Sequence, residues 1–240
     1  MLKQDDYKQH ISEKFNTELE EIKNHLLEMG GQVEQQLNSA VEALITRDSG
    51  IAEEIIHRDH EVNQMEMRID DESATILARR QPAASDLRLV ITVIKINTDI
   101  ERIGDEAVKV ARQALRLAEE SASPSSYVEI RAIGNHVAAM LRRALDAFAR
   151  LDLDQAVSVV KEDNDVDKEY GSAMRSLVTF MMEDPRQIGS ILNEMWALRS
   201  LERIGDHAAN IAEHVIYLVR GRDVRHQKSL EDFLDKVNEK

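Results

Sequence analysis

Glu101-Arg102-Ile103-Gly104-Asp105 returns letter for letter as Glu202-Arg203-Ile204-Gly205-Asp206. Each copy sets two carboxylates four residues apart, which on a helix is one face and one turn. Steps of four and three from the first copy run through Leu87, Ile91, Ile94, Thr98, Glu101, Asp105, Val108, Arg112 and Leu115. The same steps from the second run through Ile188, Leu192, Met195, Arg199, Glu202, Asp206, Ala209, Glu213 and Ile216. Both acid pairs therefore stand in largely apolar rows, the kind that a helix turns toward a partner helix. Carboxylates in such a seam are costly unless something offsets their charge, and a cation is the simplest offset. A mid-helix glycine costs about 1 kcal/mol relative to alanine. Its presence at Gly104 and again at Gly205 implies that something approaches the backbone closely at the same place in both copies.

The chain around these phrases is long enough, at 240 residues, for a sizeable core, and 42% of it is apolar. Its three prolines (Pro82, Pro124, Pro185) and few glycines and aromatics leave room for long helices and lack the turn punctuation of a β protein. A net charge of −14 argues against a general nucleic-acid binder and permits cations or basic surfaces as partners. The absence of cysteine removes disulfides and thiolate metal sites. No apolar run approaches the ~20 residues that span a bilayer. The first residues lack the apolar core of a signal peptide, so the expected location is cytoplasmic.

Periodicity predicts an all-α chain of six long helices. They form two tandem three-helix bundles related by an internal pseudo-twofold repeat. The first bundle covers residues 9–120, with helices over about 9–46, 51–80 and 85–120. Residues 121–126 read as a linker. The second bundle covers 127–221, with helices over about 127–150, 155–183 and 185–221. Residues 222–240 form a charged tail. Gly30-Gly31 reads as a bend in the first helix. Asp48, Ser85 or Asp86, Asp152 or Asp154, and Asp184 before Pro185 read as helix starts. Asp59-His60-Glu61-Val62-Asn63 parallels Asp163-Asn164-Asp165-Val166-Asp167, extending the repeat to the second and fifth helices.

The fifth helix puts another acid pair, Asp163 and Asp167, in its row of Ala156, Val160, Tyr170, Met174, Leu177 and Met181. Asp59 lies about as far before Pro82 as Glu101 lies after it. An antiparallel hairpin therefore brings them to similar depth, and the same holds around Pro185. Oxygen ligands without cysteine favour Mg, Mn, Ca or Fe over structural zinc.

These residues resemble the PhoU family. The likeness rests on Gln81-Pro82-x-Ala84-x-Asp86-Leu87-Arg88 and on Glu101 to Asp105. It rests also on Leu201-Glu202-Arg203-Ile204-Gly205-Asp206-His207-Ala208-x-Asn210-Ile211-Ala212-Glu213. It implies a negative regulator of the phosphate-starvation regulon and of phosphate uptake. The implied role is that of an adapter between the ATPase subunit of the phosphate ABC transporter and a sensor histidine kinase. It also implies a homodimer and multinuclear metal sites. Carried over by position, the metal ligands are Asp59, Glu101 and Asp105 in the first unit, and Asp163, Asp167, Glu202 and Asp206 in the second. The ions expected there are Mg, Mn or Fe rather than Zn. Asn63 stands where an acid is expected, and Lys109 where the second copy has Asn210. Both departures favour tighter binding by the second unit.

Plainer readings stand beside these. The acids could form a salt-bridge lattice with Arg102, Arg203, Arg199 and Lys161. His207 reads as solvent-facing or capping. His57, His60, His136 and His214 read as structural or exposed. Met181-Met182 and Met195-Trp196 read as core packing. A ferritin-like di-iron site needs two Glu-x-x-His pairs, and only Glu54-x-x-His57 occurs. The expected chain is not an enzyme, although a carboxylate-bound metal that hydrolyses phosphoesters is the alternative, with a metal-free helical scaffold as the third reading.

Overall fold

The computed structural model describes residues 4–120 and 127–221. Six helices make up this part of the chain, with no strand among the described residues. They are α1 (Gln4–Thr46), α2 (Ser49–Arg80), α3 (Ala84–Ala118), α4 (Tyr127–Arg150), α5 (Leu153–Glu183) and α6 (Ile188–Arg220), with a 3-10 turn over Pro185–Gln187. The all-α expectation and the six helices hold. The expected linker over 121–126 and the charged tail over 222–240 lie outside the described residues.

Short-range chemistry explains most helix ends. The Asp48 carboxylate accepts from the backbone N–H groups of Gly50 and Ile51, at 2.9 and 3.1 Å. Asp152 accepts from Gln155 N–H at 3.0 Å, and Asp184 from Arg186 N–H at 3.2 Å. These side chains satisfy N–H groups that have no partner within the helix. Arg47 and Leu151, each just before a capping aspartate, both adopt φ of +55°. The same left-handed step thus closes α1 and α4. The cap expected at Ser85 or Asp86 is not made. Ala83 holds the capping position without a side-chain bond, and Ser85 Oγ donates to Asp86 instead.

α3 and α6 lie at the centre. Each packs on the other two helices of its unit and on its counterpart, while α1 packs on α4. One continuous core therefore runs through both units, from Leu26, Met29 and Leu37 through Ile96, Ile100 and Ile103 to Leu198, Leu201 and Ile204.

Glycines reveal the repeat in three dimensions. A Cβ on Gly30 would lie 2.8 Å from Leu145 Cδ1, and one on Gly134 would lie 2.8 Å from Val41 Cγ1. Gly134 follows Gly30 by the same 104 residues that separate Leu145 from Val41, so the two contacts are reciprocal copies across the pseudo-twofold. Gly30 is thus a crossing point of α1 over α4 and not the expected bend, and α1 continues unbroken through it.

Gly134→Ala is expected to destabilise the chain by about 1–3 kcal/mol, because Val41 is branched and cannot yield. Gly31, with nothing within 4 Å of an added Cβ, is the control. Gly31→Ala is expected to stabilise by about 0.5–1 kcal/mol. Urea unfolding midpoints read both.

Candidate functional site

The repeated phrase places its glycine, and not its acids, deepest in each unit. A Cβ on Gly104 would meet Val62 Cγ1 at 3.4 Å and Val33 Cγ2 at 3.7 Å. One on Gly205 would meet Val166 Cγ1 at 3.3 Å and Val137 Cγ1 at 3.5 Å. What approaches the backbone is therefore a pair of valines from the two flanking helices, with Gln36 Oε1 beside Gly104 and Asp163 Oδ1 beside Gly205, each at 3.7 Å. The acids lie about a quarter-turn away, on the edge of the buried face. Glu101 and Asp163 are half-buried, Asp59 likewise, and Glu202 is 8% exposed, whereas Asp105, Asp167 and Asp206 are exposed. The apolar row predicted to carry them inward is a rim. Leu87, Ile188 and Leu192, three of its members, are exposed. The true inward rows pass through Ile96, Ile100, Ile103 and Ala107 on α3 and Leu198, Leu201, Ile204 and Ala208 on α6.

The acids of each unit do converge across its helix pair. In the second unit, burial and the charges of Asp206 and Asp167 push the Asp163 carboxyl up to about 6. Burial and Asp206 raise Glu202 as well, and burial and Asp167 raise Asp206. Arg199 donates to Glu202 Oε1 at 2.5 Å, while Glu202 Oε2 is buried with no donor. In the first unit, burial and the charges of Asp105, Glu66 and Asp59 raise Glu101. Asp59 accepts from Gln36 Nε2 at 3.4 Å. Thr98 occupies the position that Arg199 holds in the second unit. Among the described residues no three His, Asp or Glu side chains stand close enough together to hold a metal ion as placed. The donor chemistry nevertheless fits a hard cation. All donors are oxygen, the acids raise one another, and one buried carboxylate oxygen lacks a partner.

Several polar residues face the other way, into the contact between α3 and α6. Asp99 is 7% exposed. It accepts from His207 Nδ1 at 2.9 Å and pairs with His214 Nε2 at 3.3 Å. Burial alone would raise the Asp99 carboxyl, but the two histidines hold it below its usual range. Glu106, 2% exposed, meets Lys109 Nζ at 2.9 Å and Arg203 Nη1 at 2.7 Å. His207 is thus buried, not solvent-facing or capping. The acid beside it occupies the rim and leaves the next position, 100° around the helix, to point at α3. Lys109 pairs on this seam, and Asn210 reaches Asp99. Their difference belongs to the α3–α6 contact and leaves the first acid cluster untouched. The signal available in the sequence was the residue after the repeated phrase, Glu106 in one copy and His207 in the other.

Of the cations named for the lattice, Arg199 pairs with Glu202 inside the acid cluster and Arg203 pairs with Glu106 outside it. Met182 and Trp196, expected in the core, are 80% and 61% exposed.

Asp163 releases its proton less readily when folded, so folding costs it stability as pH rises from about 4, the unfolded value, to about 6 and above. In metal-free protein, Asp163→Asn is expected to raise stability by about 1–3 kcal/mol at pH 8 and to leave it unchanged at pH 3.5. Urea titrations at the two pH values check this. Asp99→Ala strands two buried histidines and is expected to cost about 3 kcal/mol or more at pH 6.

Comparison with known proteins follows the geometry. The PhoU domain matches residues 26–114 and 130–215, one match in each unit. A "Phosphate-specific transport system accessory protein PhoU homolog" of Pseudomonas aeruginosa is 61% identical over 226 residues, covering 94% of this chain and 93% of the relative. The "Phosphate-specific transport system accessory protein PhoU" of Escherichia coli K12 is 46% identical over 228 residues, covering 95% and 93%. The crystal structure of PhoU from Pseudomonas aeruginosa superposes with a TM-score of 0.85 at 62% identity, covering 87% of this chain and all of that one. A repeated acidic phrase, two pseudo-twofold three-helix units and these matches over nearly the whole length agree: the chain belongs to the PhoU domain family.

Proposed function

We propose that the chain is a metal-binding negative regulator of phosphate uptake and of the phosphate-starvation regulon. It acts as a cytoplasmic homodimeric adapter between the ATPase subunit of a phosphate ABC transporter and a sensor histidine kinase. Kinship carries this reading: relatives 61% and 46% identical over almost their full length are named as accessory proteins of phosphate-specific transport. Those names describe accessory proteins and not enzymes, and the reading is accordingly non-catalytic. No helix among the described residues is long and apolar enough to cross a membrane.

The metal half of the reading draws support from the acid clusters. Asp163, Asp167, Glu202 and Asp206 would hold ions in the second unit, and Asp59, Glu101 and Asp105 in the first, with Mg, Mn or Fe as the class. A bound cation supplies positive charge that removes the mutual repulsion raising Asp163 and Glu202. It would fasten α5 to α6 and α2 to α3 along the rim. Partner binding, or phosphate at an open position on the ion, would then act on that fastening.

A co-purification of the chain with the transporter ATPase and with the histidine kinase, with and without phosphate, tests the adapter role. Binding of both partners, with phosphate altering at least one, is expected. Failure of both under every condition overturns it. Calorimetry with Mn2+ on Glu202→Gln and Glu101→Gln tests the metal sites, with at least a tenfold weakening expected at the altered unit.

The Asp163 carboxyl near 6 is the one observation that favours hydrolysis, since such a group can hold a proton for a leaving oxygen. Phosphoester turnover by metal-loaded protein, lost in Asp206→Asn, would establish that reading in place of the adapter.

A further inference from the structure

The internal repeat supplies its own control, because positions of the first unit have counterparts in the second. One layer differs at all three of its chemistry-bearing positions. The first unit has Glu66 and Asp70 on α2 and Asn97 on α3, and the repeat offsets put Tyr170, Met174 and Leu198 at the matching places. Leu198 is fully buried, with Tyr170 and Met174 half-buried, so the second unit makes an ordinary apolar contact there.

The first unit replaces that contact with oxygen donors around a fully buried amide. Asn97 is 0% exposed. Its Nδ2 donates to Asp70 Oδ1 and to the Glu66 carbonyl oxygen, both at 3.0 Å. Its Oδ1 has no donor. A buried oxygen left in this way costs about 1–3 kcal/mol, and the leucine of the other unit would carry no such cost. Burial and the like charge of Asp70 both raise the half-buried Glu66 carboxyl, and among the described residues no basic side chain offsets them. A solvated acidic face would explain Asp70 alone. It explains neither an amide with an unused oxygen in the core nor a half-buried glutamate beside it.

We propose a cation position in the first unit formed by the carboxylates of Glu66 and Asp70 and the unpartnered amide oxygen of Asn97. Two carboxylates and an amide oxygen are ligands for a hard divalent ion of the Mg2+, Mn2+ or Ca2+ class, and water completes the shell on the side where Asp70 is exposed. Glu66 follows Asp59 by seven residues, two helical turns or about 10 Å along α2. The position is thus displaced along α2 from Asp59 but adjoins the Glu101 end of the cluster, because the Glu66 charge raises Glu101 more than the Asp59 charge does. It makes the two units unequal, because the second has no carboxylate or amide oxygen in this layer. The inference shares with the proposed function only the class of ion.

The test uses the full chain stripped with chelator, with bound Mn2+ counted by equilibrium dialysis and Tm read with and without Mn2+. The variants are Asn97→Leu, which installs the residue of the second unit, Asp70→Asn, and Glu202→Gln as a second-unit reference. Asn97→Leu and Asp70→Asn are each expected to bind one Mn2+ fewer per chain, or to weaken that ion at least tenfold. Each should also show a smaller Mn2+-induced rise over its own metal-free Tm. Glu202→Gln should keep this ion and lose a different one. Asp70 is exposed, so its variant reports even where Asn97→Leu fails to fold. Wild-type stoichiometry and Kd in Asp70→Asn, alongside a loss in Glu202→Gln, would overturn this position and leave the metal reading of the rim intact. A wild-type chain that binds no Mn2+ would overturn both.

Discussion

The close approach of three helices over a bare backbone decides where everything else in each unit can sit. At Gly104, Val62 and Val33 come within van der Waals reach of the place a side chain would occupy, and at Gly205 Val166 and Val137 do the same. A Cβ at Gly205 would press on Val166, and one at Gly104 would just touch Val62, so neither position has room for a long side chain between the helices. With the helices this close, the acids one turn apart on either side of the glycine cannot enter the core and are carried onto its edge. That edge is shared with the acids of the neighbouring helix, so carboxylates gather there, Glu202 buried and the others partly or fully exposed. Burial and like charge then raise Asp163, Glu202 and Glu101 together. The glycine is a packing residue whose consequence is electrostatic.

The same helix turn faces a second environment. Residues next to the acids, Glu106 on α3 and Arg203 and His207 on α6, point into the contact between the units. There they meet Asp99, Lys109 and one another. Buried ionic groups of this kind are weak sources of stability and strong sources of register, because any slip leaves a charge without its partner. The seam therefore fixes how α3 lies on α6, and with it how far the two acid faces stand from each other.

Much of the architecture was legible in the chain because its determinants are local. Capping aspartates, the low turn content and apolar periodicity identify six helices. Asp48, Asp152 and Asp184 sit where short-range hydrogen bonding requires them. The 104-residue offset joining Val62 to Val166 could be read from the neighbouring letters. The rotation of the helices was harder to read. Steps of four and three through Glu101 and through Ile100 are both plausible rows, and they differ by only 100° on the wheel. Choosing the first places all the acids inward and leaves His207 outward, whereas packing buries His207 and sets the acids along the edge of the core, with Glu202 alone of them buried. Similarly, Met182 and Trp196 are as apolar as core residues, and nothing in their own letters reveals that no helix covers them.

The sequence by itself determined the helices, their duplication and the supply of paired carboxylates at matching depths, since each follows from residue type and spacing along one chain. The tertiary structure decided which side of each helix is inside. It decided that the glycines receive valines, that Asp99 holds two histidines across the unit boundary, and that Asn97 lies buried beside Glu66 and Asp70. Those outcomes depend on how several helices rotate against one another to exclude water from one shared core, and that choice is made by the whole assembly.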